Sequence, residues 1–128
     1  QFTTMLIEKN EDRKRIGSVT YFYSHPIYRS LEIGYGIDEV TERGKGYAHG
    51  AVRVLIDYLF SNKNIGRIQA TTSVENVASQ RLLEKLGFKN EGRLRKADFL
   101  RGELRDILIY SILREEWEKP KVLTCISK

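Results

Sequence analysis

The chain has 128 residues, enough for one domain with a modest core and too few for two. Apolar residues make up 41% and charged residues 30%, a globular balance that excludes a disordered chain, and no apolar run is long enough to cross a bilayer. The formal charge of +5 favours an anionic partner, and the single cysteine, Cys125, excludes an internal disulfide and fits a reducing, cytoplasmic setting.

Residues 2–9 and 16–23 are β-rich runs joined by the charged stretch Asn10-Glu11-Asp12-Arg13-Lys14, which predicts an antiparallel hairpin. Residue 1 is Gln and the next residues already read as strand, so the chain is expected to be a fragment that begins inside its sheet. Ser24-His25-Pro26 interrupts the second run. In the third, Leu31, Ile33, Tyr35 and Ile37 alternate with Glu32, Gly34 and Gly36, so one face is apolar and the other nearly bare. Glycines on one strand face predict a bulge, or a ligand lying against the backbone.

From residue 47 to 60 the period changes. Ala48, Ala51, Val52, Leu55, Ile56 and Leu59 recur at three and four, giving an amphipathic helix of about four turns that ends over Asn62-Lys63-Asn64-Ile65-Gly66. Residues 67–74 read as a strand. Asn76 offers an N-cap, and Leu82, Leu83 and Leu86 form the stripe of a second helix that stops at Gly87. Two further β-like runs, about 88–97 and 103–113, flank 98–102 as a closing hairpin, and 114–128, with Pro120 in it, is expected to be an irregular tail. The order is β-β-β-α-β-α-β-β: one domain, a mixed α/β sheet with a parallel, right-handed β-α-β in the middle and antiparallel ends.

Between the third strand and the first helix stands "ERGKGYAHG", residues 42–50. A strand, a glycine-rich loop and a helix N-terminus make an anion site, because unpaired N–H groups and the positive dipole end point outward together. The P-loop needs four residues between its glycines and then Lys before Ser or Thr, which this stretch lacks. The dinucleotide fingerprint needs its third glycine three residues after the second, whereas Gly50 stands four after Gly46, and no acidic residue lies near position 68.

"RGKGYAHGAVRVLIDYLF" followed by "ENVASQRLLEKLGFKNEGRLR" resembles the acetyl-CoA-binding core of the GNAT N-acetyltransferases, in particular the RimJ/RimL type, over about residues 2–113. The family's pyrophosphate loop, Q/R-x-x-G-x-G/A, matches at Gly44 and Gly46, with Thr41 in its first position. The second signature is present at Asn76, Ser79, Leu83, Gly87 and Phe88. The family's first strand and two following helices have no counterpart, so residues 1–128 are expected to be an N-terminally incomplete acetyltransferase domain.

The resemblance implies acetyl-CoA as co-substrate and no metal. Backbone N–H groups of Arg43, Gly44, Lys45, Gly46, Tyr47 and Ala48 would cradle the pyrophosphate, with Arg43 and Lys45 adding charge-assisted contacts. The third strand would splay from the fourth to admit pantetheine, and an N–H near Ile37 would polarise the thioester carbonyl. Asn76 would hydrogen-bond the pantetheine arm and Ser79 would protonate the departing thiolate. The bland alternatives are a plain N-cap and an ordinary first-turn serine. Glu32, on the glycine face, is the expected general base; its alternatives are solvent or an arginine partner. His25 and His49 read as ordinary exposed side chains, and with one distant cysteine they form no metal set.

The expected reaction is direct acetyl transfer to a primary amine, a protein N-terminus as for RimJ/RimL, or a polyamine, amino sugar or antibiotic. A basic chain weighs against a polyamine. The competing classes are a family member that binds CoA without transfer and a basic module on RNA or the ribosome, although no RNA-recognition signature is visible. Exposed sheet edges would allow a homodimer.

Overall fold

The two N-terminal runs pair as expected. Strand β1, Phe2–Glu8, lies antiparallel to β2, Arg15–Tyr23, and the turn closes through the Lys9 N–H on the Lys14 carbonyl and the Arg13 N–H on the Lys9 carbonyl, both at 2.9 Å. A computed structural model describes residues 2–25 and 27–117 of the chain. In it six strands form one mixed sheet in the order β1-β2-β3-β4-β6-β5. The remaining elements are β3 (Ser30–Ile37), a 3-10 turn (Val40–Glu42), α1 (Tyr47–Asn62), β4 (Arg67–Ser73), α2 (Val77–Lys85), β5 (Lys89–Leu100) and β6 (Glu103–Leu113).

Both helices cover the same face of the sheet. Val52, Leu55, Ile56 and Leu59 of α1 and Leu83 of α2 join Leu31, Ile33, Ile68, Ala70, Tyr110 and Ile112 in one buried cluster. By register these strand residues share one face, and Glu32, Gln69, Thr71 and Ser111 share the other. That second face carries no described helix.

β2 and β3 pair from Gly17↔Ile37 to Tyr23↔Leu31 without a register shift, so the glycines at 34 and 36 do not mark a bulge. The parallel ladder between β3 and β4 runs only from Ser30↔Arg67 to Ile33↔Ala70. Beyond it, residues 34–37 and 71–73 diverge, leaving a splay at the C-terminal end of two parallel strands, where α/β sheets take their ligands.

The ends of α1 and β5 and the start of the tail follow the sequence expectation to different degrees. α1 ends at Asn62, at the start of the stretch expected to end it, and Arg114 caps it, donating to the Phe60 oxygen of its last turn at 2.7 Å and to the Lys63 and Ile65 oxygens just beyond at 2.7 and 2.9 Å, where a cation also suits the helix dipole. β5 runs to Leu100, so the closing turn is Arg101-Gly102 alone, with both residues at positive φ, 53° and 80°. That is the mirror-image hairpin geometry that matches strand twist. Between Leu94 and Asp98 the ladder is broken by a bulge, where Asp106 accepts the Lys96 N–H at 2.8 Å and Arg93 Nε at 2.7 Å. The start of the expected tail is irregular but anchored: Trp117 packs against the core and its indole N–H donates to Asp57. Pro26, Pro120, Cys125 and the rest of 118–128 lie outside the described residues.

Among the described residues no helix is long and apolar enough to cross a membrane, and no three His, Cys, Asp or Glu side chains could share a metal ion.

Candidate active site

The glycine loop is shaped before any ligand is considered. The Arg43 N–H closes the 3-10 turn on the Val40 carbonyl at 3.2 Å, so the free run of N–H groups begins at Gly44 and not at Arg43. Gly44 and Gly46 then take φ of 78° and 87°, the left-handed region where a side chain is strained. Gly46 is the N-cap of α1 and has no side chain to satisfy the helix end. The first helical bond is Gly50 N–H to Gly46 oxygen at 3.1 Å, and the N–H groups of residues 44–49 find no acceptor among the described residues. No acidic residue stands in the first turn of α1. An anion is the group this arrangement fits.

The two basic side chains of the loop are turned toward its own scaffold. Arg43 Nε donates to the Ile37 carbonyl at 2.8 Å, and Lys45 Nζ lies 3.2 Å from Glu42. Glu42 is buried, and Lys9 holds its other carboxylate oxygen at 3.2 Å. The Lys9 hydrogen bond, helped by Lys45, holds the Glu42 carboxyl below the ordinary range, and Glu42 in turn raises the Lys9 ammonium. Sequence reasoning assigned Glu42 no part. Its only signal was an acidic residue placed directly before a Gly-Lys-Gly run.

At the splay the backbone faces the gap. The Asp38 N–H donates to the Ile16 carbonyl at 2.7 Å, which makes Gly17↔Ile37 a non-hydrogen-bonded pair. The N–H and C=O of Ile37 therefore turn away from β2 toward the unpaired side of β3. A Cβ built on Gly34 or Gly36 would meet nothing within 4 Å, so the space over this strand on its helix-free face is open.

Glu32 lies on the helix-free face, as its place in the alternation predicted. One carboxylate oxygen accepts the Gln69 amide at 2.8 Å and the other the Thr71 hydroxyl at 3.3 Å. Gln69 is itself oriented by Arg67, which donates to its oxygen at 2.6 Å and to Glu91 at 2.9 Å. The arginine is thus Glu32's partner only at one remove.

Ser79 lies on the opposite face, in the first turn of α2, where Asn76 caps the helix by accepting the Ser79 N–H at 3.1 Å. The Ser79 hydroxyl meets the Tyr35 hydroxyl at 2.7 Å. Burial pushes the Tyr35 phenol up, against the opposing effect of Ser79. Sequence reasoning placed Tyr35 only on the apolar face. The available clue was that a tyrosine packed against the core needs a partner for its hydroxyl. His49 is partly buried, and burial, followed by Lys85 and Arg53, lowers its pKa.

A family model described as an acetyltransferase (GNAT) domain matches residues 1–89, and the chain belongs to that family. It is 42% identical over 86 residues to the uncharacterized N-acetyltransferase p20 of Bacillus licheniformis, covering 67% of this chain and 48% of that protein. It is 34% identical over 110 residues to the putative ribosomal N-acetyltransferase YdaF of Bacillus subtilis strain 168, covering 86% of this chain and 60% of that protein. Among solved structures, the spermidine N-acetyltransferase of Vibrio cholerae in complex with CoA and spermine superposes with a TM-score of 0.81 at 28% identity, covering 91% of this chain and 68% of that one. The chain spans 48% and 60% of the length of these two curated relatives.

Proposed function

We propose that the protein is an acetyl-CoA-dependent N-acetyltransferase that passes the acetyl group directly to a primary amine. The observation that carries this reading is the run of unpaired N–H groups at residues 44–49, opening beside a splay between β3 and β4. A pyrophosphate suits the loop, and an extended pantetheine arm suits a gap whose sides still have hydrogen-bonding groups. The Ile37 N–H would then receive the thioester oxygen as charge develops on it, a contribution of ~3–4 kcal/mol in comparable sites. Asn76 Oδ1 accepts the cap bond, which leaves its NH2 group to donate to a pantetheine carbonyl.

The two faces of the sheet divide the proton work. The amine approaches from the face of Glu32, which takes its proton directly or through water as nitrogen attacks the acetyl carbon. The C–S bond breaks with its electron pair left on sulfur, on the side of Ser79, which supplies the proton. The acceptor we favour is a protein N-terminal amine. A net charge of +5 supports it over a polycation, although the relatives include a spermidine N-acetyltransferase as well as a putative ribosomal N-acetyltransferase.

Thermal unfolding with and without acetyl-CoA tests the reading first. At about 100 times Kd the ligand adds ~2.7 kcal/mol to the folded state, a rise of several degrees. Release of CoA thiol in the presence of amine peptides, polyamines and amino sugars then identifies the acceptor. Glu32→Gln is expected to lower kcat about 100-fold while leaving the acetyl-CoA shift in place. Salt-sensitive RNA binding without any acetyl-CoA shift would replace this reading with that of a basic RNA module.

A further inference from the structure

We propose that Tyr35 acts behind Ser79 as the source of its proton, so that the departing CoA thiolate is protonated through a two-hydroxyl relay. The inference rests on the acetyltransferase reading above and adds a residue to it.

A serine hydroxyl acting alone is a poor acid. If it gives its proton to sulfur unaided, an alkoxide is left in a partly buried site. A second hydroxyl of suitable acidity removes that difficulty. A phenol titrates near ~10 and a thiol near ~8.5, so a proton drawn from the phenol is far less uphill than one drawn from a serine hydroxyl alone. The 2.7 Å separation of Tyr35 and Ser79 is the usual distance for an O–H···O bond.

The position is as telling as the distance. Tyr35 stands two residues beyond Ile33, the last β3 residue in the ladder with β4, and Ser79 stands in the first turn of α2, beyond the end of β4. Their bond therefore bridges the mouth of the splay on the helix side. Ser79 is held there by the Asn76 cap through its own N–H. The fully buried phenol on this face, Tyr110, is engaged elsewhere, since its hydroxyl donates to Glu84 at 3.1 Å.

The C–S bond breaks and the electron pair stays on sulfur. The Ser79 proton moves to sulfur and the Tyr35 proton moves to Ser79 Oγ. The Tyr35 phenolate regains a proton from water. Burial raises the Tyr35 phenol, so the phenolate is short-lived and the relay resets between turnovers.

Tyr35 is a positioning residue by this account, since it touches Ser79 and not the substrate. Its test uses two donors, acetyl-CoA and the selenoester analogue, whose leaving group is acidic enough to depart without a proton. With acetyl-CoA, Tyr35→Phe is expected to lower kcat about 100-fold, with KM and the acetyl-CoA thermal shift unchanged. With the selenoester, kcat should return to within a few-fold of the unmodified protein. Ser79→Ala should show the same pattern, and the double variant should be no slower than the slower single variant. Equal losses with both donors, or full kcat with acetyl-CoA, would overturn the relay. If the unmodified chain binds acetyl-CoA but transfers acetyl from neither donor, the acetyltransferase reading itself fails and takes the relay with it.

Discussion

A carboxylate removed from water between two ammonium groups contributes to stability only while it stays charged. Glu42 is held in this way by Lys9 and Lys45, and it ties the 3-10 turn to the end of β1 just before the glycine loop. Its folded pKa lies below the ordinary 4.5, so its contribution is fully present above that value and is lost as pH falls through the folded value. Lys9 is raised above the ordinary 10.5, so its share is present below that value and is lost as pH rises through the folded one. Replacing Glu42 with Gln should lower the unfolding midpoint at pH 7 and flatten its decline between about pH 5 and 3. Asp106, Glu91 and Glu116 are also lowered and keep the remaining slope. Parallel midpoint-against-pH curves for the two proteins would show that Glu42 adds nothing. This residue was illegible in the sequence because its partner Lys9 stands 33 positions away. Glu32 was legible, because strict alternation along one strand assigns a face without any knowledge of the neighbours.

Strands β2 and β3 leave no room for a side chain at Gly17. A Cβ on Gly17 would lie 2.2 Å from the Gly36 carbonyl oxygen and 3.0 Å from Ile37 Cα, and both are backbone atoms with no rotamer to move. Gly17→Ala should therefore cost about 1–3 kcal/mol in denaturant unfolding, and should also weaken acetyl-CoA binding by shifting residues 36 and 37. Gly50→Ala is the contrasting case: nothing lies within 4 Å, and the helical position should gain up to about 1 kcal/mol. A Gly17→Ala protein as stable as its parent would mean that the strands can move apart freely. At this scale β-rich runs and helical periodicity identified every strand and both helices, together with the end of α1 but not that of β5. α1 stops where Arg114 reaches it from 54 residues further along the chain at Phe60, and no local pattern announces such a cap.

Across the molecule, protection from solvent is uneven. Leu31, Ile33, Ile68 and Ala70 are 2% exposed or less, whereas every residue of the outer strand β5 is exposed. Amide hydrogen exchange should follow this gradient. The amides of residues 94–100 should exchange through local opening of the β5–β6 hairpin, and those of residues 31–33 and 68–70 only through global unfolding. Equal protection in both groups would indicate a single cooperative unit. The gradient sets the splay and Ser79 beside the protected strands β3 and β4, whereas the unpaired amides of residues 44–49 should exchange fast.

Local rules were sufficient for the order of elements, the glycines at 44 and 46, the alternation that places Glu32 apart from Tyr35, and the cap at Asn76. Each depends on neighbours within a few positions, which the chain lists in order. The pairing of β3 with β4 for four residues only, the burial of Glu42 and the meeting of Tyr35 with Ser79 join segments from 33 to 44 positions apart. Such contacts form only after the sheet has brought distant segments together, so it is the packed core, and not any local preference, that decides them.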